Sequence, residues 1–97
     1  MSEDLQFEWD DVKARLNEAR HQVTFQEAES VFQDPYALVS YDLAHSDDEP
    51  RRIILGYSKN MRLLYISFTE RRQNVIRIIS ARKATPQERK TYEKKTR

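Results

Sequence analysis

Cationic side chains carry the chemistry open to this chain. Arg51, Arg52, Arg71, Arg72, Arg77, Arg82 and Lys83 fall in or beside runs that read as β-strands, and a strand fixes the direction in which a side chain points. A guanidinium held that way gives two parallel hydrogen bonds to phosphate oxygens. It also stabilises the extra negative charge of a pentavalent phosphorane during cleavage. The competing reading is that such arginines keep strand edges soluble or pair with acidic residues, and composition by itself favours that reading slightly. Arg71 and Arg82 lie at opposite ends of the last strand, on the order of 25 Å apart at ~3.3 Å per residue. They cannot share one phosphate, but both can track one strand of RNA.

Other chemistry is thinly represented. Lys13 stands off the apolar stripe of a first helix, as a phosphate ligand or as an ordinary exposed lysine. His21 follows that helix, where a partly positive imidazole suits the helix dipole or serves as a general acid or base near neutral pH. Arg89, Lys90, Lys94, Lys95 and Arg97 cluster near the end of the chain; they form a solvated helix face, an RNA contact or a dock for an acidic partner. Tyr92 lies among them, as a packing residue or a base-stacking one, and Trp9 reads as packing. The chain has no cysteine, so neither a disulfide framework nor a thiolate zinc site is expected. His21 and His45 form no HxxxH or HExxH pattern. The Asp42, Asp47, Asp48, Glu49 stretch lacks the glycine and spacing of a calcium loop. Ser46 beside His45 lacks the glycines of a nucleophile elbow. No metal and no cofactor are expected.

Charge is divided along the chain. Residues 1–49 hold three basic and thirteen acidic side chains, a net of −10, and residues 50–97 hold fourteen basic and three acidic, a net of +11. The total of +1 conceals this. A strongly basic half points to a polyanionic partner, most often nucleic acid. At 97 residues, with 38% apolar and 34% charged side chains, one domain with a small core is expected. No apolar run is long enough to span a membrane and no signal segment opens the chain, so a cytosolic protein is expected.

The elements that must position these groups are legible as follows. Leu5–Glu8 alternates like a short strand. Asp10 caps a helix to about Arg20, with Val12, Leu16 and Ala19 as its apolar stripe. Thr24-Phe25-Gln26-Glu27 is a capping box opening a second helix that buries Phe25, Ala28, Val31 and Phe32. Asp34-Pro35 ends it. Ala37–Tyr41, Arg51–Tyr57, Met61–Thr69 and Asn74–Arg82 read as strands, the last three as an antiparallel meander. Thr85-Pro86-Gln87-Glu88 caps a last helix. Alternation with an assumed hairpin register puts Ile53, Leu55, Leu64, Ile66, Phe68, Val75 and Ile79 on one apolar face beneath the two N-terminal helices. That register also drops Arg77 onto the apolar face, where a lone guanidinium needs a carboxylate.

The residues are also similar to a known family. Phe7-Glu8-Trp9-Asp10 with Lys13 and Asn17, then His21-x-Val23-x-Phe25 and Val31-Phe32-x-Asp34-Pro35, resemble the start of the BrnT toxins. The resemblance continues through His45-Ser46, Glu49-x-Arg51, Gly56-x-Ser58, Thr69-Glu70-Arg71, Ile76-Arg77-Ile78-Ile79-Ser80-Ala81-Arg82, Glu88-Arg89 and Tyr92-Glu93. One departure is Arg20-His21-Gln22, where the family usually has Lys-His-Gly; a glycine there would end the helix in a left-handed conformation. The resemblance implies a RelE/ParE-like fold, a ribonuclease toxin of a type II toxin–antitoxin module, and a BrnA-like antitoxin with a ribbon-helix-helix domain that supplies the DNA binding.

The expected fold is therefore α+β: two N-terminal helices on an antiparallel sheet, with a C-terminal helix at its side. The expected function is metal-independent RNA cleavage by 2′-hydroxyl attack, with Lys13, His21, Arg51, Arg71, Arg77 and Arg82 as catalytic candidates. Lys83, Arg89, Lys90 and Tyr92 are candidates for RNA binding. The alternatives are a ParE-like toxin that acts by binding a protein, and a relic that only binds its partner.

Overall fold

The computed structural model describes residues 4–45 and 49–96. Ser46, Asp47, Asp48 and Arg97, named above, lie outside them. The order of elements is β1 (Gln6–Glu8), α1 (Asp11–His21), α2 (Phe25–Val31), β2 (Leu38–Tyr41), a 3-10 turn (Leu43–His45), β3 (Arg52–Tyr57), β4 (Leu63–Arg72), β5 (Val75–Lys83) and α3 (Pro86–Lys95). The five strands form one sheet in the order β1-β5-β4-β3-β2. Every neighbouring pair is antiparallel except β1 with β5, which run parallel.

The helices begin where local chemistry dictates. Asp10 accepts the Lys13 N–H at 3.0 Å, Thr24 accepts the Glu27 N–H at 3.0 Å, and Thr85 and Glu88 form a complete capping box. The second box is only half made. The Glu27 carboxylate leaves its own helix and accepts from Ser58 Oγ at 2.6 Å and from the Arg62 guanidinium. Helix α1 ends on Gln22, which takes the left-handed conformation (φ 58°) that a glycine would adopt without strain.

Two strand registers differ from the alternation expected. Ile54 stands opposite Ile66 and Gly56 opposite Leu64, so Ile54, and neither Ile53 nor Leu55, joins Leu64, Ile66 and Phe68 in the main core. The cause is the turn: five residues, 58–62, connect the strands, with Met61 at φ 60°. Between β4 and β5 the register shifts twice, so that Arg71 and Ile79 are each left without a partner. Ile76, Ile78 and Ala81 then face the core, where Val75 and Ile79 were expected.

Two layers cover the sheet. Val23, Phe25, Ala28 and Val31 pack on one face against Ile54, Leu64, Ile66, Phe68, Ile76 and Ile78. On the other face α3 brings Tyr92 down onto Leu55 and Leu63. Asp34 joins both layers: its carboxylate accepts the Tyr57 N–H at 2.8 Å and the Tyr92 hydroxyl at 2.7 Å. Gly56 permits this approach, since a Cβ there would lie 3.0 Å from Asp34 Oδ2 and from the Ala37 Cβ. Helix α1 packs on the sheet at its β5 side. It runs beside the edge of β5, with Ala14 and Asn17 inward, so Val12 and Leu16 of the expected stripe are 56% and 61% exposed.

Candidate phosphate-binding cleft

Four of the expected catalytic residues come together. Lys13, Arg51, Arg71 and Arg77 line one cleft of about 220 Å³ with His45, Glu49, Thr69 and Ile79. Each arrives from a different element. Lys13 stands in the first turn of α1, and its helix is held at the β5 edge by Asn17, whose side-chain amide closes both backbone hydrogen bonds of Ala81. Arg77 and Thr69 are direct partners across β4 and β5. Arg71 and Ile79 are the two unpaired residues of the register shifts, and such bulges re-aim side chains beside functional sites. Arg51 and Glu49 come from the segment before β3, and His45 from the 3-10 turn.

Two of the cations sit in part-exposed ion pairs. Arg71 pairs with Glu49 at 3.2 Å and Arg77 with Glu8 at 3.3 Å, and all four side chains are about one-third or more exposed. Pairs of that kind are worth at most ~1 kcal/mol. The expectation that Arg77 lies on the apolar face is corrected: it projects away from Ile76 and Ile78, and Glu8 of β1 is its carboxylate. Beside the cleft, Thr69 is 2% exposed and its buried hydroxyl has no hydrogen-bond partner among the described residues. A buried hydroxyl left so is costly unless a ligand or water completes it. His45 meets Asp42 through Nδ1 at 3.1 Å.

The other expected site residues are elsewhere. His21 lies in an adjoining cleft with Leu16, Asn17, Arg20 and Ser80, which shares Lys13 and Ile79 with the first. Arg82 makes a bidentate pair with Glu88, both bonds at 2.9 Å, and stacks 3.9 Å from the Tyr65 ring centre. That pair raises the guanidinium pKa. Burial pushes the Glu88 carboxyl upward, and the hydrogen bonds from Arg82 and Thr85 outweigh it, leaving the group below its usual range. Lys83 lies in a further cleft with Arg82, Gln22 and Thr85. Arg89 donates to the Tyr57 hydroxyl at 3.0 Å, and Lys90 is exposed on α3. Tyr92 is 6% exposed; burial first and the Asp34 hydrogen bond second raise its pKa. It is the core residue of α3, with no open face for a base.

Sequence reasoning passed over Thr69, His45 and Glu49 as site residues. The available signal was the Glu49-x-Arg51 and Thr69-Glu70-Arg71 pairs, which place an acid and a hydroxyl two residues from an arginine. Among the described residues no three His, Cys, Asp or Glu side chains converge as metal ligands, and no helix is long and apolar enough to cross a membrane.

Comparison with known proteins agrees with this architecture. The crystal structure of the Brucella abortus ribonuclease toxin BrnT superposes with a TM-score of 0.65 at 20% identity, over 84% of this chain and 97% of that one. That likeness shows the fold. No curated protein matches the chain. The family model described as "Ribonuclease toxin, BrnT, of type II toxin-antitoxin system" matches residues 9–88, a span that contains every residue of the cleft. The chain therefore belongs to the BrnT family of ribonuclease toxins, whose type II toxin–antitoxin systems supply a protein antitoxin as partner.

Proposed function

We propose that the cleft holds the scissile phosphate of an RNA strand and that cleavage follows internal attack. The ribose 2′-hydroxyl loses its proton and its oxygen bonds to the adjacent 3′-phosphorus. The bond from phosphorus to the 5′-oxygen breaks, and that oxygen takes a proton. The products are a 2′,3′-cyclic phosphate and a 5′-hydroxyl. Arg51, Arg71, Arg77 and Lys13 offset the charge that develops on the phosphorane, and His45 and Glu49 move the protons. The observation that carries this reading is the gathering of four cations, each from a different element, around one cleft.

The neutralising partner, on this proposal, is a BrnA-like antitoxin with a ribbon-helix-helix domain, acting in the cytoplasm. A groove lined by Leu38, Ile53, Leu55 and Tyr65, with Lys95 and the Arg82-paired Glu88, lies beside α3. It suits apolar anchors flanked by carboxylates.

The test is cleavage of single-stranded RNA by antitoxin-free protein in EDTA, with the product ends identified. Cyclic phosphate termini are expected. Activity that vanishes with chelator and returns with magnesium would overturn the mechanism. Absence of cleavage on any RNA, with growth still arrested on expression, would favour a toxin that acts by binding a protein.

A further inference from the structure

Three clefts run end to end along the seam between α1 and β5. The phosphate cleft shares Lys13 and Ile79 with the cleft around Leu16, and that one shares Arg20 and His21 with the cleft around Lys83. From Arg77 to Lys83 along β5 the seam covers about 20 Å at ~3.3 Å per residue, far longer than one phosphate needs. Among the described residues Lys13, Arg20 and Lys83 make no ion pair with a carboxylate, although the chain as a whole is nearly neutral. Midway stands Leu16, 61% exposed on a helix whose inward side is taken by Ala14 and Asn17. An exposed aliphatic side chain between cations matches the alternation of a single-stranded polynucleotide, with phosphates on one side and base faces on the other.

We propose that this seam is an extended track for the RNA beyond the scissile phosphate: Arg20 and Lys83 take backbone phosphates, and Leu16 carries a base. The proposal rests on the ribonuclease reading above and assigns the same site a substrate of several nucleotides. It also gives His21 a place beside the strand, one cleft away from the bond that breaks.

The experiment is fluorescence anisotropy with uncleavable 2′-O-methyl oligonucleotides, a decamer and a trimer, on wild type and on the Arg20→Ala/Lys83→Ala double variant across a salt series. Single-stranded binding loses ~0.7 in the slope of log affinity against log salt per phosphate contact. The double variant should therefore bind the decamer roughly tenfold more weakly, with a slope flatter by about 1.4. Trimer affinity should change less than about twofold. A thermal melt checks the fold, and Arg20→Gln alone, on the exposed side of α1, should show half the slope change if the double variant melts early. Unchanged decamer affinity, or an equal loss on both lengths, overturns the track while leaving the cleft intact. Loss of antitoxin affinity with RNA affinity unchanged assigns the seam to the protein partner instead. Wild type that binds neither oligonucleotide sinks the ribonuclease reading and the track with it.

Discussion

Asn17 stands to Ala81 as a neighbouring strand would. Its Oδ1 accepts the Ala81 N–H at 3.1 Å, its Nδ2 donates to the Ala81 carbonyl at 2.8 Å, and Nδ2 also reaches the Val23 carbonyl at 3.0 Å. Strand β1 covers only the start of β5, at Val75–Arg77, so the rest of that edge needs another partner. At Ala81 one side chain supplies it, and so ties α1, which carries Lys13, to that edge.

Asn17→Ala should accordingly damage both stability and activity. It strands a buried N–H and two carbonyls, at about 1–3 kcal/mol for an unsatisfied buried group, so a total loss of roughly 3 kcal/mol is expected in denaturant titration. Cleavage should fall further than the unfolded fraction accounts for. Wild-type activity in the folded fraction would show that Lys13 is not positioned through this contact.

Arginine substitutions should separate into two classes. Arg71→Ala breaks only an exposed pair with Glu49, so its melt should match wild type while cleavage falls about 100-fold, the scale seen when one donor to a developing charge is removed. Arg82→Ala loses the bidentate pair with Glu88 and the stack on Tyr65 and should cost about 1 kcal/mol with a smaller effect on cleavage. Equal melts with equal activity losses would put Arg82 at the phosphate after all.

Acid stability should depend on Glu27. The Arg62 guanidinium first and the Ser58 hydroxyl hold its carboxyl below the usual 4.5, against the opposing effect of burial. A depressed folded-state pKa means that the unfolded chain binds the proton more readily. The stabilisation is therefore full above the unfolded value and is lost as pH falls through the folded one. Asp34 and Glu88 are lowered too and add to the same limb. Glu27→Gln should flatten the decline of melting temperature below about pH 4.5. Arg62→Ala, which leaves a buried carboxylate alone, should cost about 3 kcal/mol at neutral pH. An unchanged acid limb in Glu27→Gln would assign the pH dependence to the other two carboxyls.

Antitoxin binding should respond to charge on α3 more than to its removal. Ending the chain at Ala84 would take away Tyr92 and uncover Leu55 and Leu63, so truncation confounds folding with binding. Changing Lys90, Lys94 and Lys95 to glutamate keeps Tyr92 in place. Calorimetry at two salt concentrations should show weaker binding, most clearly at low salt. Equal affinity at both would place the neutralising surface away from α3.

The sequence by itself determined what neighbouring residues decide. Asp10, Thr24, Thr85 and Glu88 mark helix starts because a cap is made within four residues. The strand runs are legible from apolar, β-branched composition, and the concentration of cations in the second half pointed to a polyanion. The same residues carried the likeness to the BrnT family. Tertiary structure alone decided where those elements face. A five-residue turn and two register shifts moved Ile54, Ile76 and Ile78 into the core and turned Arg71, Arg77 and Ile79 into the cleft. A strand's own alternation is silent on register, because one extra residue in a partner reverses every side chain beyond it. Pairs distant in the chain followed the same rule: Glu27 left its capping box for Arg62, and Glu8 met Arg77. Each depends on a distance through space that no local pattern encodes.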